Sequence, residues 1–184
     1  MTLLIQANHI QQIRIYAEQA YPEECCGLML GIIPPHTPEN SSENNLEIAP
    51  ENGPENAPET ERTTIELWPG TNAWDDNAQV EMAELRKTEA ERSFTTKQRY
   101  WIDPKDMLAA QKYGRDKNLQ IVGIYHSHPN HPAVPSECDR ACAWSAYSYI
   151  IVSVPNGQAT DIFSWVLDEH HQFQAEVLQI KETI

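Results

Sequence analysis

Two histidines one residue apart, His126 and His128, follow directly on the apolar run 121–125, which reads as a buried strand. Alternate side chains on a strand point to the same face, so both imidazoles face one way at the strand's end. Two imidazoles so placed can hold one metal ion. Ser136 and Asp139 come next, giving the run His-Ser-His-Pro, six residues, Ser-x-x-Asp. A carboxylate arriving from the next element supplies a third ligand and leaves a fourth position for water. Three protein ligands plus water is the pattern of a catalytic zinc rather than a structural one.

Each half of this run has a plainer reading. A His-x-His pair arises by chance, and Ser136 three residues before Asp139 matches an ordinary helix capping box. What makes the combination specific is the bridge between the halves. Pro129, Pro132 and Pro135 stiffen a non-helical loop that can fix a strand end relative to a helix start.

His126, Ser127, His128, Pro129, Ser136 and Asp139 match the motif of the JAMM (MPN+) metalloproteases position for position, and with residues 34–63 set aside most of the chain resembles that family. The resemblance extends to an acid just before a Cys-Gly and a short apolar strand, where Glu24 is the aligned residue in the run 23–31. It extends also to Tyr100-Trp101-Ile102-Asp103-Pro104 ahead of a helix. It implies a single α/β domain over residues 1–184, with a mixed sheet packed by helices in a cytidine-deaminase-like arrangement. It implies Zn2+ on His126, His128 and Asp139, with Asp139 a ligand rather than a cap partner. Glu24 would be the general base and Ser136 the donor to an oxyanion. Glu23, the neighbouring acid, is the fallback for Glu24. The implied activity is a metallopeptidase or isopeptidase cutting after the C-terminal Gly-Gly of a ubiquitin-like or sulfur-carrier protein. Ser127 points away from the two histidines and is assigned a supporting role. His131 reads as a solvated loop residue.

Composition bounds the alternatives. With 184 residues the chain is too short for a full (β/α)8 barrel of roughly 200–250 residues, the scaffold of other hydrolases with a His-x-His strand end. Its net charge is -14 and no Lys/Arg cluster occurs, so neither nucleic acid nor an anionic membrane is an expected partner. No apolar stretch approaches the ~20 residues that span a bilayer, and the N-terminus lacks the pattern of a signal peptide. Cys25, Cys26, Cys138 and Cys142 do not form a disulfide framework, so a reducing cytoplasm is expected and the thiols are expected to be buried and unligated. Two other function classes are weighed against a hydrolase. A non-catalytic scaffold would have lost the ligand set, which is complete here. A zinc deaminase would show His-x-Glu and Pro-Cys-x-x-Cys, and neither occurs.

The elements that must position these residues follow from periodicity. A helix is expected from Asn8, a candidate cap, to about Tyr21, ended by Pro22. A strand follows at 27–33, with Glu24 in the turn that leads into it. Residues 34–63 read as a disordered acidic insertion: Glu recurs every fourth residue from 39 to 59, but Pro50, Pro54 and Pro58 forbid the helix that this period would favour. Thr64 to Trp68 is the next strand, ended by Pro69-Gly70. Residues 75–92 are polar and helix-prone. Asp103-Pro104 opens a helix to about Lys117. Then come the histidine-bearing strand over 119–126, a helix over 136–146, strands at 149–154 and 161–167 around a Pro-Asn-Gly turn, and a last strand at 173–180.

Overall fold

A computed structural model of the chain describes residues 1–34, 61–74, 96 and 99–182. The elements in order are β1 (Thr2–Gln6), α1 (Ala7–Ala20), β2 (Cys26–Ile32), β3 (Glu61–Gly70), α2 (Pro104–Asp116), β4 (Gln120–Pro129), α3 (Glu137–Cys142), β5 (Ser148–Val154), β6 (Ile162–Leu167) and β7 (Phe173–Lys181). The seven strands hydrogen-bond in the order β1-β3-β2-β4-β5-β6-β7 and close into a ring. β1 runs parallel to both β3 and β7, and β4 runs parallel to β5, while the other pairings are antiparallel. The sheet is therefore mixed, as expected for an α/β chain. Its closure was not anticipated. It depends on β1, a five-residue apolar strand with no sequence signal of its own partners, which pairs with β7 from the far end of the chain.

The two longer helices cover different residues of the central strands. Ile10, Ile13 and Ala17 of α1 pack into the main core with Met29, Val122, Tyr125, Ile150 and Val152. Ala110 of α2 packs with Leu28, Leu30 and Ile121, supported by Met107 and Tyr113. Alternation along β2 and β4 thus sends neighbouring side chains to different helices, the signature of a strand buried on both faces. The phenol of Tyr125 lies where a Cβ at position 27 would be, so only glycine fits beside it in β2.

Several boundaries differ from expectation. α1 starts at Ala7 with Gln6 in the N-cap position and no side-chain cap; Asn8 instead accepts from the adjacent His9 amide. β3 begins at Glu61 and runs through Pro69 and Gly70, which still pair with Gly27 and Cys26, so the Pro-Gly pair does not end it. β4 continues through the His-Ser-His-Pro run instead of stopping at residue 126, because β5 pairs with it as far as Pro129↔Val154. α3 ends at Cys142, four residues short of the expected 146. There the Tyr149 hydroxyl bonds both the N–H and the carbonyl of Trp144 and draws the chain out of the helix. The α2 boundary agrees closely: Asp103 caps it, accepting from the Lys105 amide. Of the insertion expected to be disordered over 34–63, residues 35–60 lie outside the described residues, as does the helix-prone stretch at 75–92, whereas Glu61, Arg62 and Thr63 are ordered in β3. No described helix is long and apolar enough to cross a membrane.

Candidate metal centre

The β2–β4 ladder builds the site. Cys26 is paired directly with His126, and alternation puts His128 on the same face of β4. Glu24 lies two residues before Cys26, near enough to the cluster that the charges of His128 and Asp139 act on its carboxyl. The two histidine Nε2 atoms approach to 3.1 Å. Asp139 reaches in from the first turn of α3, with its Oδ1 3.5 Å from His126 Nε2 and its Oδ2 3.5 Å from His128 Nε2. All three residues are buried, and their ligand atoms lie within 4.8 Å of one another. Among the described residues this is the group of histidine, cysteine and acidic side chains whose spacing suits an ion.

The hydrogen bonds around the cluster prepare it for a cation. His128 Nδ1 lies 2.9 Å from the Pro132 carbonyl, which can only accept, so the proton sits on Nδ1. The Nε2 lone pair then faces the cluster, the tautomer that binds metals. His126 Nδ1 is buried without a hydrogen-bond partner among the described residues. Three donor groups converging on one point, two of them neutral nitrogens and one a carboxylate, fit a borderline-soft dication. Burial would push the Asp139 carboxyl up, but the two histidines hold it well below the usual carboxylate range. Burial lowers His126; it would lower His128 too, but hydrogen bonding to Asp139 raises His128 instead.

Asp139 is a cap partner in the Ser-x-x-Asp run and also belongs to the cluster that could hold an ion. Its Oδ2 accepts the Ser136 N–H at 2.6 Å, and its own N–H donates to Ser136 Oγ at 3.2 Å. That is a complete capping box, so the expectation that Asp139 would not be a cap partner is corrected. The cap is what aims the carboxylate: it fixes the Asp139 rotamer at the start of a six-residue helix. Ser136 accepts a bond in this box and still has its hydroxyl proton to give.

Glu24 and its neighbour separate cleanly. Glu23 is exposed, whereas Glu24 is only 6% exposed. Burial pushes the Glu24 carboxyl up from 4.5 to about 8, and the charges of His128 (lowering) and Asp139 (raising) both act on it. A carboxyl near neutrality beside a ligand cluster suits proton transfer. Ser127, assigned only support, ties the two halves together: its Oγ accepts the Cys25 N–H at 2.8 Å. His131 is exposed and stands outside the cluster. The four cysteines are free thiols, three buried and Cys142 half-buried.

Two residues near the site escaped assignment from sequence. Tyr100 stacks on His126 with ring centroids 4.4 Å apart and planes 25° apart. It stood in a recognised run but nothing in its spacing marked a contact with the histidine. Asn72 bonds the Glu24 carbonyl, and no motif pointed to it.

The family model described as prokaryotic homologs of the JAB domain matches residues 6–168. A protein of Haloferax volcanii named desampylase is 35% identical over 79 residues, 42% of this chain and 55% of that protein. A desampylase of Pyrococcus furiosus is 45% identical over 38 residues, 21% of this chain and 27% of that protein. The matched stretches thus span about half of the first relative and about a quarter of the second. A solution structure of a Desulfitobacterium hafniense protein covers 99% of this chain and 94% of its own, with a TM-score of 0.67 at 20% identity. A second, from Salinibacter ruber, covers 96% and 90% with a TM-score of 0.58 at 24% identity. Both show the fold alone.

Proposed function

Because this chain belongs to the prokaryotic homologs of the JAB domain, we propose that it is a zinc-dependent hydrolase of amide bonds, with His126, His128 and Asp139 as ligands, Glu24 as general base and Ser136 as oxyanion donor. One observation carries the reading: two imidazole nitrogens 3.1 Å apart share a buried carboxylate, and a second buried carboxyl, Glu24, feels the charges of His128 and Asp139. The finer likeness of the architecture to cytidine deaminases belongs to the same reading.

Zinc held there would act as a Lewis acid, bringing the pKa of a coordinated water toward about 7 and drawing the raised Glu24 carboxyl down toward its ionised form. The protein's own groups supply the rest. Glu24 takes a proton from the attacking water and delivers it to the leaving nitrogen, which must depart as a neutral amine. The Ser136 hydroxyl donates to the carbonyl oxygen as that oxygen gains charge. The capping box holds Ser136 and Asp139 in fixed relation, so donor and ligand move together if at all. Tyr100 covers one face of His126 and keeps water from it.

The substrate is a protein of the ubiquitin fold, cut after its C-terminal Gly-Gly. The name desampylase, carried by two relatives, supports a deconjugating hydrolase. A small sulfur-carrier protein bearing a C-terminal adduct, such as an amino acid, is the proposed partner. The test has two parts. Elemental analysis should find about one zinc per chain, lost on His126→Ala/His128→Ala. The zinc protein should then release a peptide fused behind the Gly-Gly of such a carrier, and Glu24→Gln should stop the release. Undiminished cleavage by Glu24→Gln or Asp139→Ala protein would sink the mechanism.

A further inference from the structure

We infer that Asn72 is the residue that positions Glu24, holding its peptide in place where the sheet no longer does; this rests on the proposed role of Glu24. The β2 ladder ends at Cys26, which pairs with Gly70 on one side and His126 on the other. Glu24 lies two residues beyond that last pair, so no strand neighbour holds it. Its backbone is held from elsewhere. The Glu24 N–H donates to the Thr96 carbonyl at 2.8 Å. The Glu24 carbonyl accepts from Asn72 Nδ2 at 3.1 Å.

The same Asn72 amide fixes the stretch that supplies Thr96. Its Nδ2 lies 2.9 Å from the Arg99 carbonyl and 3.4 Å from the Thr96 carbonyl. Its Oδ1 accepts the N–H groups of Trp74, at 3.1 Å, and Trp101, at 3.2 Å. Residue 72 also bridges to Ile102, and the Ala73 N–H donates to the Trp101 carbonyl. One side chain therefore joins the end of β3, Thr96 with Arg99 and Trp101, and the turn that carries Glu24.

No other residue type meets this demand. A primary amide brings two protons and two lone pairs, and here both lone pairs are used and three carbonyls face two protons. Aspartate keeps the shape but offers no donor. Serine offers one proton and glutamine is one carbon too long. Among the described residues Asn72 makes no hydrogen bond to His126, His128 or Asp139, so it acts through Glu24 and is a positioning residue. Its loss should change where the carboxyl sits without changing what holds the ion.

The test uses the zinc-reconstituted full chain and the carrier fusion described above. Asn72→Ala and Asn72→Asp should each keep about one zinc per chain. Both should lower kcat by about 10²-fold with a much smaller change in KM, the cost of a catalytic group displaced by about 1 Å. Adding Asn72→Ala to Glu24→Gln should lower the residual rate no further, because the two residues act as one unit. Asn72→Asp should be no better than alanine, since it turns a carboxylate toward three carbonyls. If the alanine variant does not fold, Asn72→Ser, which keeps one donor, should fall between it and the wild type. Amide exchange at Glu24 gives a readout that needs no activity: it should quicken in Asn72→Ala while exchange in β4 stays slow. Wild-type kcat in Asn72→Ala, a full additional loss in the double variant, or unchanged exchange at Glu24 would each overturn the inference. If the wild type cleaves nothing while Glu24 exchange quickens, the proposed function fails and the positioning role stands.

Discussion

Ser127 and Cys25 exchange a reciprocal pair of bonds: Ser127 Oγ accepts the Cys25 N–H at 2.8 Å, and the Ser127 N–H donates to the Cys25 carbonyl at 3.1 Å. The residue between the two histidines is thereby pinned to the residue after Glu24. Distance between the ligand pair and the acid is set by this clasp and by Asn72, from opposite flanks of one peptide.

Ser127→Ala should therefore loosen Glu24 without touching the ligands. The buried Cys25 N–H is left without its acceptor, which costs about 1–3 kcal/mol. Thermal unfolding should fall by several degrees, zinc content should stay near one per chain, and carrier cleavage should slow. Loss of zinc in this variant would show that the clasp shapes the ligand pair instead.

Asp139→Asn separates cap from ligand. The amide oxygen can still accept the Ser136 N–H, so α3 should keep its slow amide exchange. Zinc affinity, measured by competition with a chromophoric chelator, should drop by about 10²-fold or more, since even changes outside the ligand set cost 10–100-fold. Asp139→Ala should lose both the affinity and the exchange protection.

Glu24 makes the metal-free protein sensitive to pH. Its carboxyl is raised from 4.5 to about 8 by burial, so the folded state binds its proton more tightly than the unfolded state does. That stabilisation is fully present below about pH 4.5 and is lost as pH rises through about 8. Compared with wild type, metal-free Glu24→Gln should gain stability steadily across that window, by up to a few kcal/mol at its upper end. Equilibrium denaturation at pH 5, 7 and 8 measures the difference, and parallel pH curves for the two proteins would refute it.

Far from the metal centre, Arg62 of β3 and Glu176 of β7 form a buried pair at 3.5 Å, with Ser148 bonding both partners and Ser164 donating to Glu176. These bonds join β3, β5, β6 and β7 across the ring. Arg62→Met should destabilise the fold by about 3–5 kcal/mol, because it strands a buried carboxylate. Glu176→Gln should cost less at neutral pH, since burial already raises the Glu176 pKa. Combining Arg62→Met with Glu176→Leu should recover much of the loss.

The cluster of His126, His128 and Asp139 was legible in the sequence because its parts are local. His126 and His128 share a face by strand alternation alone, and Ser136 and Asp139 share a turn by helix geometry, while the family resemblance supplied the roles expected of them. Glu24 was legible only through family resemblance; the physical reason it outranks Glu23 is burial, which residue type does not encode. α2 was readable from Asp103-Pro104, a cap and a first-turn proline acting within three residues. What sequence missed was non-local. β1 finds its partners at residues 61–63 and 177–181, and no local pattern states that pairing. The early end of α3 is imposed by a tyrosine hydroxyl from β5, and the clamp on Glu24 by an asparagine 48 residues away. Residue types and short spacings determined which groups could bind an ion. Only the tertiary structure decided which carboxyl would be buried beside them, because burial and long-range hydrogen bonds belong to the whole fold.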